Sequence, residues 1–288
     1  MFLNPFEYHR AGSPQEALDL LNRHEGAKLI AGGHSLLPLM KQQLAQPTAL
    51  IDIGRLAELS GVEKQGDSLR IGALTCHAEL ASSGMLATHC PILAEAAAKV
   101  ADPQVRNKGT LGGNIAHADP ASDLPAVLVA TGATLDLMSP QGVRQVRAVD
   151  FFVGLLETDL AENELITAIH VPVLGQGSGS CYLKAEHPAS GYAVCGAAVV
   201  VELGADGNAA AIRLSFNGLA TTPVQCFPVV GALTGTDLAD EAIDTAVNSL
   251  LSVEDPLGDI YASGEYRVQL AKVYCRRALK IARDRARG

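Results

Sequence analysis

The chain has no closely spaced pair of cysteines. Iron–sulfur clusters and structural zinc sites usually take their ligands from such pairs, so we expect neither kind of site here. We expect the cysteines to be buried thiols of a protein in a reducing compartment. They are Cys76, Cys90, Cys181, Cys195, Cys226 and Cys275.

Positive charge is also scarce. Lysine and arginine number 22 against 31 aspartate and glutamate, which gives a formal net charge of −9. Phosphate-rich surfaces recruit clustered Lys and Arg, so this balance argues against a nucleic-acid partner or an anionic membrane. The one basic run, from Arg276 to Arg287, is interpreted as the solvated face of a terminal helix.

Long apolar runs are absent as well. A membrane-spanning helix needs about 20 apolar residues, and the longest candidate, Ala193 to Leu203, has the length of a strand. The first residues show neither the charged region nor the apolar region of a signal peptide. We therefore expect a cytoplasmic protein without a transmembrane segment.

The 288 residues suffice for two domains. The glycine- and serine-rich stretch 175–180 is the most linker-like segment, so we place the boundary there. Before it, short strands alternate with helices, the first of which is predicted to begin at Ser13-Pro14. After it, residues 180–185, 192–203 and 210–214 read as antiparallel strands, followed by two helical stretches. The predicted fold class is α+β.

Two glycine-rich segments stand out in the first domain. Residues 31–38, AGGHSLLP, follow a short strand and precede a helix. Adjacent glycines let the backbone approach a ligand closely, and free N–H groups at the helix start favour an anion. An ordinary strand-to-helix turn remains the alternative for this segment alone.

The second segment, residues 109–114, is interpreted as another glycine loop, with Thr110, Asn114 and Ser122 as short polar donors. Two such loops could hold the two phosphates of a dinucleotide. Neither matches G-x-G-x-x-G or G-x-x-x-x-G-K-[ST], so Rossmann and P-loop geometries are unsupported. His117, Asp119 and Asp123 lack a second histidine at ligand spacing, so we expect no metal.

The two motifs AGGHSLLP (31–38) and TLGGNIAHADP (110–120) together resemble the FAD-binding medium subunit of molybdenum hydroxylases, in particular the aerobic carbon monoxide dehydrogenase branch. The resemblance spans nearly the whole chain. It implies a vanillyl-alcohol-oxidase/MurB-type FAD domain at 1–175, made of α/β subdomains at about 1–55 and 56–175. A small α+β domain of the carbon monoxide dehydrogenase flavoprotein type would follow at 180–288.

The resemblance also implies site residues. The backbones of the two glycine segments would hold the FAD diphosphate, and Asp123 would bind a polar part of the cofactor. Leu165 and Ile166 would reach the flavin edge, and Lys184 and Tyr192 would approach the isoalloxazine. The implied cofactor-binding residues are Ala31, Gly32, Gly33, His34, Ser35, Leu36, Thr110, Leu111, Gly112, Gly113, Asn114, Asp123, Leu165, Ile166, Lys184 and Tyr192.

Three of these roles stay open. Gly191 occupies a position where many relatives have Asp, so Lys184 could instead be a solvated edge charge and Tyr192 a core aromatic residue. His34 could bond FAD covalently, donate or accept a hydrogen bond, or be structural. Replacing Gly112 by valine is expected to abolish FAD retention and leave the fold largely intact.

The function implied by the resemblance is electron transfer. A large partner subunit would oxidise the substrate at a molybdenum cofactor, and [2Fe-2S] clusters of a small subunit would pass electrons to FAD in this chain, within a dimer of heterotrimers. No residue of the chain itself need act as acid, base or nucleophile. The alternatives are a self-sufficient FAD-dependent oxidase or dehydrogenase with its own organic substrate, and a regulatory flavin-binding module.

Overall fold

The computed structural model describes residues 3–288. Its first layer is a parallel three-stranded sheet in the order β1-β3-β2, with two helices and a short 3-10 turn at Ala57–Leu59. Ser13 caps the first helix as the sequence predicts, because its hydroxyl accepts a 3.1 Å bond from the Glu16 N–H. The elements are β1 (Glu7–Arg10), α1 (Pro14–Arg23), β2 (Lys28–Ile30), α2 (Leu36–Lys41) and β3 (Ala49–Asp52).

The second layer is a five-stranded antiparallel sheet in the order β4-β5-β10-β6-β7, covered by a group of short helices. A two-stranded hairpin, β8 with β9, lies beside it. The elements are β4 (Val62–Gln65), β5 (Ser68–Gly72), α3 (His77–Ser82), α4 (Gly84–His89), α5 (Pro91–Ala98), α6 (Pro103–Arg106), α7 (Leu111–His117), α8 (Asp123–Thr131), β6 (Thr134–Ser139), β7 (Gly142–Arg147), α9 (Ala148–Phe151), β8 (Phe152–Gly154), β9 (Glu157–Thr158) and β10 (Leu165–Pro172).

The third layer is a four-stranded antiparallel sheet with its strands in sequential order. Its first three strands correspond to the three antiparallel strands predicted from the sequence, and the short fourth strand was not predicted. The long helix α12 packs on β11 and β12, while α8 packs on β12 and β13. Helices thus cover β12, and its first nine residues are all buried. The elements are β11 (Ser178–Glu186), β12 (Ala193–Leu203), β13 (Ala209–Asn217), β14 (Val224–Gln225), α10 (Phe227–Leu233), α11 (Asp240–Leu250) and α12 (Gly264–Arg287).

Each layer has its own cluster of buried apolar side chains. The cluster of the second layer also contains Tyr182, Ala198 and Val200 from the third sheet, so the second and third layers pack against each other. Across residues 3–288, the structure contains no helix with the length and apolar character needed to cross a membrane.

Two interpretations of the sequence need correction. Residues 111–117 are helical rather than a loop, because Thr110 caps the helix by accepting a 3.2 Å bond from the Gly113 N–H. The basic run on α12 is not a simple solvated face, since several of its side chains form ion pairs. Arg283 lies 2.7 Å from Asp240, and Arg285 lies 2.6 Å from Glu95 of α5.

Candidate functional site

A cavity of about 700 Å³ lies where the three layers meet. The β2–α2 loop and α7 contribute to its lining, as do the start of β10 and the loop from β11 to β12. Of the sixteen residues proposed from the sequence, all line this cavity except Leu111 and Lys184. The fold therefore brings together residues that are up to about 160 positions apart in the chain.

The loop between β2 and α2 presents a row of free donors. The backbone N–H groups of five consecutive residues, Gly32 to Leu36, form no hydrogen bond within residues 3–288. All five residues line the cavity. Successive N–H groups of this kind form a concave binding site for an anion.

Two glycines give the loop its shape. Gly33 has φ +72°, a conformation that costs other residues roughly 1–2 kcal/mol, and its carbonyl accepts a 3.1 Å bond from the Leu37 N–H. Gly32 lies against the carbonyl of Lys108 so closely that a Cβ would come within 2.1 Å of that oxygen. The double glycine is thus required by a left-handed turn and by backbone contact.

The second glycine segment differs from the first in its hydrogen bonding. The N–H groups of Leu111, Gly112, Gly113 and Asn114 all have protein acceptors, at 2.7 to 3.2 Å. Leu111 is fully buried and does not reach the cavity. The segment therefore offers the cavity a wall of small residues rather than a second row of free N–H groups.

Gly112 lines the cavity and is also required for packing within the protein. Its N–H donates a 2.7 Å bond to the carbonyl of Ala73, and a Cβ at this position would lie 2.6 Å from the Ala73 Cβ. A valine here would therefore collide with the protein itself. The expectation that such a variant keeps its fold conflicts with this contact.

Polar side chains from α7 and from the segment after it lie on the wall of the cavity. The Ser122 hydroxyl donates to Asn114 Oδ1 at 2.8 Å, and Asn217 of β13 donates to the Ser122 carbonyl at 2.7 Å. The Asn114 Nδ2 group has no acceptor within residues 3–288. A free amide donor therefore lies on the wall of the same cavity as the first glycine loop.

Asp123 and Lys184 form a buried ion pair between the second and third layers. Asp123 Oδ2 lies 3.1 Å from Lys184 Nζ, and the two side chains are 5% and 2% exposed. The amine also donates to the carbonyls of Lys99, at 2.7 Å, and Gly191, at 2.6 Å. All three amine protons have acceptors, so Lys184 lies behind Asp123 and is not a solvated edge charge.

The second oxygen of Asp123 accepts a 2.6 Å bond from the buried Tyr182 hydroxyl. Burial raises the pKa of Asp123 to about 6, against the opposing effects of Lys184 and Tyr182. Asp123 also lines the cavity. Protein partners therefore hold both oxygens of the carboxyl group, which fixes its position at the wall of the cavity.

The remaining predicted residues lie at other parts of the wall. Leu165 and Ile166 are buried at the start of β10, next to Leu160 on the same lining. Tyr192 precedes β12 and is 43% exposed, so it is not a core aromatic residue. The exposed His34 side chain forms no hydrogen bond within the described residues.

His77, at the start of α3, is a lining residue that the sequence interpretation missed. It is 3% exposed, and its Nδ1 has no hydrogen-bond partner within residues 3–288. Burial, together with His34 and Arg106, lowers the pKa of His77 to about 4. His77 was missed because the sequence around the start of this short helix contains no recognisable binding motif.

Two family models match the chain. The FAD binding domain in molybdopterin dehydrogenase matches residues 4–174, and the CO dehydrogenase flavoprotein C-terminal domain matches residues 180–282. The carbon monoxide dehydrogenase medium chain of Hydrogenophaga pseudoflava is 40% identical over 279 residues, which cover 96% of each chain.

Two further matches extend this similarity. The 6-hydroxypseudooxynicotine dehydrogenase complex subunit alpha of Paenarthrobacter nicotinovorans is 36% identical over 98% of this chain and 96% of its own. In a solved structure of the carbon monoxide dehydrogenase from Hydrogenophaga pseudoflava, one chain superposes with a TM-score of 0.95 over 99% of both chains. The similarity thus extends over the whole length of each protein.

Proposed function

Because this chain belongs to the family of FAD-binding medium subunits of molybdenum hydroxylases, we propose that it binds FAD in the cavity and passes electrons from a partner subunit to an external acceptor. The substrate is oxidised on another subunit, at a molybdenum cofactor, and iron–sulfur clusters of a partner deliver the electrons. The chain is an oxidoreductase component rather than a complete enzyme.

One observation of the structure supports this proposal above the others. The five free N–H groups of Gly32 to Leu36 line one side of a cavity of about 700 Å³. A dinucleotide is an elongated ligand with a doubly charged diphosphate, and backbone N–H groups are suitable donors for its oxygens. The residues present therefore fit FAD.

The other lining residues fit the rest of such a ligand. Asn114 and Asp123 supply a donor and a carboxyl group for its polar parts. Leu160, Leu165 and Ile166 supply an apolar surface on which a flat ring can pack and from which water is excluded. Leu111 and Lys184 act from behind the wall, Leu111 as core and Lys184 by holding Asp123 in place.

Bound flavin supplies the electron chemistry, since it accepts electrons singly and releases them as a pair. The chain's own residues bind, orient and shield it. At neutral pH, His77 is uncharged, because its pKa is about 4. We assign no residue of the chain as an acid, base or nucleophile.

We further propose the architecture that the sequence suggests. The boundary between the domains lies between residues 174 and 180, and the FAD domain has subdomains at about 1–55 and 56–175, each with its own sheet. This arrangement corresponds to the vanillyl-alcohol-oxidase/MurB type, with a small α+β domain at 180–288. The matched ranges 4–174 and 180–282 support the boundary.

For the assembly, we propose a dimer of heterotrimers with a small iron–sulfur subunit and a large molybdenum subunit. One relative is named a medium chain and another a complex subunit, and both names support an assembly with further subunits.

A cytoplasmic location is supported by the six cysteines, which are all free thiols. Cell fractionation tests the proposed location, and native mass spectrometry tests the proposed assembly.

The binding test uses two glycines of matched conformation. Gly33 and Gly132 have φ +72° and +73°, and only Gly33 lies at the cavity. Alanine costs roughly 1–2 kcal/mol of backbone strain at either position, which corresponds to about a tenfold change in an equilibrium constant. The Gly33→Ala loop can relieve this strain by leaving the conformation that presents the N–H groups of Gly32 to Leu36, so we expect FAD binding to weaken by up to about tenfold. Gly132 does not line the cavity, so Gly132→Ala should leave FAD binding unchanged.

The measurement is flavin absorbance of the chain after reconstitution with FAD and gel filtration, followed by fluorescence titration. A wild-type chain without flavin absorbance, or equal FAD affinity in both variants, would contradict the proposed site. Acid precipitation then separates the roles of His34. Flavin that remains with the precipitated polypeptide would identify a covalent bond, and released FAD would exclude one.

A further inference from the structure

Three side chains with metal-ligating atoms converge on the first layer, away from the cavity. Glu7 and His9 belong to β1, and His24 caps the end of α1. None of these three side chains is among the residues that line the cavity. The cluster is thus separate from the proposed FAD site.

Two of the distances within the cluster are close to those between the ligands of a single ion. Glu7 Oε2 lies 3.1 Å from His9 Nε2 and 3.5 Å from His24 Nδ1, and all three ligand atoms lie within 4.8 Å of one another. In a tetrahedral site with bonds of about 2.0–2.2 Å, ligand atoms are about 3.3–3.5 Å apart. The carboxylate oxygen is therefore already at ligand spacing from both imidazole nitrogens.

The backbone holds these residues in place. Glu7 and His9 are two positions apart in a strand, so their side chains project from the same face. The His24 N–H donates a 3.1 Å bond to the Leu20 carbonyl, which fixes the residue at the helix end. The two imidazole rings already contact each other, with centroids 4.4 Å apart.

From this geometry we propose that Glu7, His9 and His24 bind one divalent transition-metal ion of the Zn²⁺ type. Two imidazole nitrogens and one carboxylate oxygen favour zinc, nickel or cobalt over magnesium or calcium, which prefer oxygen ligands alone. Glu7 is 67% exposed, so water completes the coordination. The bound ion connects the start of β1 to the end of α1, a site that the sequence did not suggest.

The competing arrangement contains no metal. In it, the Glu7 carboxylate accepts a hydrogen bond from each imidazole N–H, which the same distances allow. Such a cluster would have no specific affinity for Zn²⁺ at a stoichiometry of one. The two arrangements therefore differ in a quantity that can be measured directly.

The experiment uses the full chain, purified without a polyhistidine tag and treated with a chelator. Zn²⁺ is titrated in competition with a chromophoric chelator, and Co²⁺ is added separately to read the coordination geometry from its visible absorption. The variants are His9→Gln, His24→Gln and Glu7→Gln. The control is His170→Gln, which removes a histidine that is 2.7 Å from one carboxylate, that of Asp136, but has no second imidazole.

We expect one Zn²⁺ per chain and a Co²⁺ spectrum of low coordination number. Each of the three ligand variants should weaken Zn²⁺ binding at least about tenfold, or ~1.4 kcal/mol, and the control should not. All variants keep the six cysteines, so zinc bound by thiols would survive in each of them. Circular dichroism and FAD content verify that the variants are folded.

Two results would overturn the proposal. One is a chain that binds no Zn²⁺ at a stoichiometry of one. The other is Zn²⁺ binding that is equally strong in the ligand variants and in the His170→Gln control.

Discussion

Replacing Lys184 by methionine should destabilise the protein strongly at neutral pH. The amine donates to Asp123 Oδ2 and to two carbonyls, and its side chain is 2% exposed. Methionine keeps most of the side-chain volume but leaves a buried carboxylate without its cation. Breaking a buried pair in this way costs about 3–5 kcal/mol, and this pair is too buried for solvent to screen it.

The loss of stability in Lys184→Met should be larger at high pH than at low pH. Burial already raises the pKa of Asp123 to about 6, above its ordinary value of 3.8, and removal of Lys184 raises it further. Between the unfolded and folded pKa values, the folded protein holds a proton that the unfolded chain has released. Stability therefore falls as the pH rises through this range, and the penalty at pH 7.5 should be reduced at pH 5.5.

The assay is urea unfolding followed by circular dichroism at both pH values. Asp123→Asn combined with Lys184→Met should recover part of the lost stability at pH 7.5, because neither charge of the buried pair then remains. Lys280→Met is the matched control: its partners Asp240 and Asp244 are 60% and 47% exposed, and such pairs contribute roughly 0–1 kcal/mol. A Lys184→Met chain with wild-type stability at pH 7.5, or with a loss independent of pH, would refute this account.

Two further predictions concern the cavity wall. The pKa of His77 is about 4 in the folded chain and 6.5 ordinarily. The contribution of His77 to the free energy of unfolding is therefore fully present above pH 6.5, and it falls by about 3 kcal/mol as the pH is lowered to 4. His77→Gln should remove this part of the pH dependence of urea unfolding, and an unchanged pH profile would contradict it. Gly112→Val should lower the melting temperature even of the FAD-free chain, since overpacking against Ala73 costs about 1–3 kcal/mol. Equal melting temperatures for the FAD-free variant and wild type would show that Gly112 does not act through packing.

Local signals in the sequence sufficed for much of the fold. Ser13 and Pro14 identified the start of α1, and the apolar run before Gly204 identified β12. The edge strands β1 and β7 were missed, because their side chains are mostly exposed and show no apolar alternation. Hydrophobic periodicity in a sequence arises from side chains that are buried on one face, so a strand with few buried side chains has no detectable periodicity.

The candidate site was predictable where a motif is continuous in sequence. The Gly-Gly segment at 31–36 is such a case, because its backbone conformation follows from local residues. The second segment was misread as a loop, although Thr110 caps the helix locally. The need for glycine at position 112 follows from its contact with Ala73, which no local pattern shows. Likewise, the partners of Lys184 come from Asp123, Lys99 and Gly191, which no local pattern connects.

The most direct test of the central claim is native mass spectrometry with metal and flavin analysis of the protein purified from its source. We predict that this chain is found with FAD, in a complex with a smaller iron–sulfur subunit and a larger molybdenum subunit. A homo-oligomer that contains neither iron nor molybdenum, yet oxidises an organic substrate by itself, would contradict the electron-transfer function and identify a self-sufficient flavin oxidase.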